Sequence, residues 1–78
     1  MDIPHDLILL ERAAEEQRAR LAGLDGKEFD LQHRAWQEAA QAARAAIADH
    51  ATVSGRSAEA VESAVKRAVR EAEEDPAE

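Results

Sequence analysis

The apolar residues of this chain fall into three stripes at helical spacing, separated by glycine-bearing breaks at 21–27 and 54–57. Steps that alternate between three and four keep side chains on one face of an α-helix, whereas a half-buried strand needs steps of two. The pattern therefore predicts an all-α, single small three-helix domain over residues 1–72. Helices at about 4–22 and 27–52 form an antiparallel hairpin, and a shorter third helix at about 58–72 folds back on it.

The first stripe is Ile3, Leu7, Leu10, Ala14, Gln17 and Leu21. Pro4 suits a first helical turn, where its missing N–H is not needed, and Asp2 and Asp6 lie near the positive end of the helix dipole. Gly23 is the expected stop: it can turn left-handed just past the helix, with Leu24 folding back as in a Schellman motif. Ile8 and Leu9 leave this stripe, together with Ala19 and Ala22, so they meet either the third helix or another subunit.

Asp25 and Glu28 have the spacing of a capping box at the start of the second helix. Phe29, Trp36, Ala39, Ala40, Ala43, Ile47 and His50 then share one face, while Asp30, Arg34, Gln37, Glu38 and Gln41 take the other. Phe29 and Trp36 are the chain's two aromatics, and Trp36 is expected to anchor the core. The later half of this helix is rich in alanine, Ala42 and Ala46 among them, which lets another backbone approach closely. The third stripe is Ala58, Val61, Val65, Ala68, Val69 and Ala72, opened by Ser57 as N-cap. Glu62 with Lys66, and Arg67 with Glu71, are spaced to pair along the surface of this helix.

A chain of 78 residues buries only about 60–65% of the surface it exposes when unfolded, so its core is thin. It has no cysteine, which excludes disulfide frameworks and thiolate metal sites and makes a cytoplasmic setting the expectation. The longest apolar run, Leu7–Leu10, is far short of the ~20 residues needed to span a membrane. The net charge of -7 is uneven: residues 54–70 carry +2 and residues 71–78 carry -5. The end, 73–78, therefore reads as an acidic frayed tail, one possible contact for a basic partner.

Nothing in the chain is spaced for catalysis. His5, His33 and His50 have no paired spacing, none is coupled to a carboxylate in the manner of a zinc-binding helix, and there is no glycine-rich phosphate loop. The expectation is a protein that is not an enzyme and takes no metal, cofactor or small-molecule substrate.

Ala51, Gly55, Ser57 and Val61 resemble the helix-turn-helix of transcriptional regulators over about residues 47–70: a small residue, a turn glycine, a hydroxyl and a β-branched lock. That resemblance implies nucleic-acid contacts from Arg56, Lys66, Arg67 and Arg70. Ser54 and Arg56 depart from the motif's apolar positions, however, and Glu59 and Glu62 would face phosphates. Taken whole, the chain resembles a group of short, uncharacterised all-helical proteins of actinomycetes. The resemblance rests on Ile3-Pro-His-Asp-Leu7, Arg34-Ala-Trp36-Gln-Glu-Ala-Ala40 and the segment from Gly55 to Lys66; it implies a compact accessory protein.

The thin core favours association. The leading expectation is a protein-interaction or regulatory module, working as a homodimer or with another protein. Its candidate surface is Ile8 and Leu9 on the first helix or Ala42 and Ala46 on the second. The alternative is a DNA-binding regulator.

Overall fold

The computed structural model describes residues 2–74. They form three helices: α1 (His5–Ala19), α2 (Gly26–Ser54) and α3 (Ala58–Glu74). At 1.5 Å per residue, the 29 residues of α2 span the longest dimension of a molecule measuring 43 × 35 × 16 Å. The shortest dimension is the depth of two helices packed 8–10 Å apart. α1 lies antiparallel along α2: Gln17 and Gln32 meet at one end of the pair, and Leu7 joins the Ile47 and Ala51 cluster at the other.

α1 ends three residues earlier than its apolar spacing suggests, and one hydrogen bond explains this. The Gln17 carbonyl, which would accept from Leu21 in a continuing helix, accepts instead from Gln32 Nε2 at 2.8 Å. Leu21 N–H donates to Arg18 O and Ala22 N–H to Ala19 O, so the chain tightens into three-residue turns. Gly23 adopts a left-handed φ of 84° as anticipated, but the Leu24 N–H donates to Leu21 O, so the expected Schellman closure is absent there. The expected capping box is absent too. Asp25 stands at the N-cap without a side-chain cap bond, and Gly26 enters the helix at φ 60°.

The Schellman motif occurs at the other end of α2. Gly55 is left-handed at φ 73°, ψ 23°, Arg56 N–H donates to Ala51 O at 3.0 Å, and Gly55 N–H donates to Thr52 O at 3.4 Å. Ser57 then caps α3, its Oγ accepting from Ala60 N–H at 3.0 Å. A Cβ on Gly55 would meet nothing within 4 Å, so Gly55→Ala is penalised by its backbone alone. It should lower stability by about 1–2 kcal/mol in urea unfolding, with Gly55→Asn, which tolerates this conformation, costing less.

α3 runs through Glu74, two residues past its expected end, and at 17 residues it is shorter than α2 but longer than α1. The rest of the acidic tail, 75–78, lies outside the described residues. The core gathers where all three helices meet: Leu7, Ile47, Ala51, Val61 and Val65 form one cluster, with Ile3 and Ala46 packed on it. Val61, Val65 and Val69 are completely buried, one turn apart along α3. Trp36 does not anchor this core. It and Phe29 are half-buried, because they sit toward the Gln17–Gln32 end of the hairpin while the valines of α3 close over the other. No helix is long and apolar enough to cross a membrane among the described residues.

Candidate functional site

Where α3 lies against α1, the surface dips on either side of their contact. The ridge between the two dips is held by an ion pair that crosses from one helix to the other. Lys66 Nζ donates to Glu11 Oε2 at 2.9 Å; the Glu11 side chain is 9% exposed and that of Lys66 46%. Leu7, Glu11 and Ala14 are the buried positions of α1, so its inner face carries a carboxylate where the apolar stripe suggested Leu10, which is only half-buried. The hydrogen bond that Lys66 donates to Glu11 holds its ammonium above the ordinary pKa of 10.5, aided by the charges of Glu11, Glu62 and Glu15 and opposed by partial burial. Lys66 is thus committed across the helix interface, and the expected surface pair with Glu62 is not formed.

The first dip, about 640 Å³ in volume, is floored by Trp36 and Ala14 and bordered by Glu11, Lys66, Arg18 and Arg70. Trp36 ends an aromatic ladder along α2: the His33 ring stacks on Phe29 at 5.7 Å and 18° and meets Trp36 edge-on at 5.3 Å and 68°. His33 is thereby a packing residue between two aromatic rings.

The second dip, about 530 Å³, lies on the opposite side. Its walls are Ile3 and Ile8 from α1, and its floor is Ala60, Ala64 and Ala68, successive turns of α3, with Arg67 and Glu71 at the rim. Arg67 and Glu71 are both exposed. They are spaced to pair with each other, yet among the described residues they form no ion pair.

The structure separates the residues singled out by sequence. Ile8 faces the third helix, half-buried in the second dip, while Leu9 beside it is 47% exposed. Ala46 packs on the core and Ala42 is exposed on α2. The four cations are divided as well: Arg56 is exposed in the turn, Lys66 and Arg70 border the first dip, and Arg67 borders the second. Glu11 was missed because a search for apolar residues passes over charge. The available signal was its position, four after Leu7 and three before Ala14 on the same helical face.

Compared with known protein families, with curated proteins and with solved structures, the chain matches none.

Proposed function

We propose that this chain is a non-enzymatic protein-interaction or regulatory helical module, which acts in the cytoplasm as a homodimer. The observation that carries this reading is how little of its apolar surface one copy covers. The radius of gyration is 14.0 Å, against about 11.5 Å for a compact domain of this length. The described residues bury eight apolar side chains, three of them alanines, while Leu9, Leu31 and Val53 are exposed. Small domains with cores this thin are commonly completed by association. The absence of cysteine fits a reducing compartment.

The DNA-binding alternative draws on the α2–α3 corner, where Gly55 turns the chain, Ser57 caps α3 and Val61 is buried. It is weaker because a phosphate backbone needs several cations on one face. Here Lys66 is held by Glu11, and the remaining arginines of α3, Arg67 and Arg70, share that helix with Glu59, Glu62 and Glu71.

Size-exclusion chromatography with light scattering tests the proposal. The expected mass is twice the 8.5 kDa of one chain, falling toward the single-chain value on dilution. A mass of one chain at every concentration would remove the dimer.

A further inference from the structure

Given the self-association just proposed, on which this step rests, we infer that the outer face of α2 is the dimer interface. Two copies pair there antiparallel, about a two-fold axis at Ala42. Leu31, Glu38, Ala42, Asp49 and Val53 are all exposed and follow one another at steps of seven, four, seven and four. Two such steps make eleven residues, close to the about 10.8 of three helical turns, so the five share one face along most of the helix. That face turns away from Ala43, Ile47 and Ala51, the positions that α2 buries. It carries two of the large apolar side chains that a single copy leaves in water, Leu31 at 60% and Val53 at 86% exposure.

The order of residues along this face selects a second copy as its occupant. A two-fold contact sets one surface against itself, so the surface must be self-complementary. An antiparallel axis at Ala42 places each residue opposite the one equally far beyond Ala42 in the other copy. Leu31 lies eleven residues before Ala42 and Val53 eleven after it, so each leucine meets the other copy's valine about 16 Å from the axis. The charges obey the same register. Arg34 lies eight residues before Ala42 and Asp49 seven after it, which brings each guanidinium within about 1.5 Å, along the helix, of the other copy's Asp49. Both side chains are exposed, and among the described residues neither forms an ion pair. Glu38, four residues on from Arg34, falls opposite Ala46, so no like charges are directly opposed. Each Arg34 then stands between its own Glu38 and the other copy's Asp49, one cation for two carboxylates, and the pairing stays dissociable on dilution. A parallel pairing would instead set Arg34, Glu38 and Asp49 each against its own image.

The chain has no cysteine, so an introduced thiol reports proximity without background. Mixed under mild oxidation, Leu31→Cys and Val53→Cys proteins should link to each other much faster than either links to itself. Ala42→Cys should link to its own copy much faster than Arg44→Cys, an exposed site two residues on that points to a different side of α2. Arg34→Asp, an exposed change that leaves the helices intact by circular dichroism, should weaken the dimer about tenfold in light-scattering dilution series. Adding Asp49→Arg to it should restore association. If wild type is a dimer but Leu31→Cys prefers its own image, or Ala42→Cys links no faster than Arg44→Cys, or the charge exchange fails to rescue, this inference is overturned while self-association stands. A monomeric wild type removes both.

Discussion

Val65→Asp is expected to abolish cooperative folding, leaving a chain without a thermal transition in far-ultraviolet circular dichroism. Val65 is wholly enclosed in the cluster formed by Leu7, Ile47, Ala51 and Val61. A carboxylate there has no cation to answer it, and burying a polar group unpaired costs several kcal/mol even after it takes up a proton. A chain of this length has a total stability of only about 4–12 kcal/mol, and a core of five branched side chains and three alanines places it toward the lower figure. Val65→Ala separates loss of packing from introduction of charge. It removes two methyl groups, worth about 1.5 kcal/mol in transfer, plus a cavity term, for about 2–3 kcal/mol. The melting temperature should fall by roughly 10–20 °C. Val53→Asp, at a site 86% exposed, should move the stability of the single chain by less than about 0.5 kcal/mol. A Val65→Asp protein that still melts cooperatively would show that the three-helix junction is not the centre of stability.

The valine positions illustrate what a linear pattern can carry. Val61, Val65 and Val69 repeat every four residues, Ser57 precedes them as a hydroxyl cap, and Gly55 supplies the residue type best suited to a left-handed stop. Each of these is a local property, so it can be read from neighbours in the chain. The ends of α1 and the aromatic residues were less legible because their environment is set at long range. Whether Gln17 O accepts from Leu21 or from Gln32 depends on a residue fifteen positions away. Likewise Trp36 has the apolar area of a core residue, but the place where three helices converge is fixed by where α3 returns, at the Leu7 and Ile47 end. The same holds for both dips beside α1, whose walls come from segments more than fifty residues apart.

The ion pair is the most consequential of these long-range features, and it predicts an asymmetry between its two partners. Lys66→Ala removes the cation and leaves the Glu11 carboxylate enclosed with nothing at 2.9 Å to answer it. For a fully buried pair this loss costs about 3–5 kcal/mol; since Lys66 is nearly half exposed, water screens part of the penalty and about 2 kcal/mol is expected. Glu11→Leu should behave differently. It places an apolar side chain between Leu7 and Ala14 on the inner face of α1, and the ammonium of Lys66, already reaching solvent, can turn outward. That substitution should be neutral or stabilising in urea unfolding, and Lys66→Ala added to it should cost little, so the two changes are strongly non-additive. The pH dependence follows from the same geometry. Because the folded pKa of Lys66 lies above its ordinary value, the contribution of the ammonium is complete below the unfolded lysine pKa of about 10.4 and is lost only as pH rises through the higher folded value. Wild type should therefore show an alkaline loss of stability that Glu11→Leu lacks, with no corresponding difference near neutrality. Equal costs for Lys66→Ala and Glu11→Leu, with additive behaviour in the double variant, would mean that the pair acts as a solvated surface contact and does not fix how α1 and α3 meet.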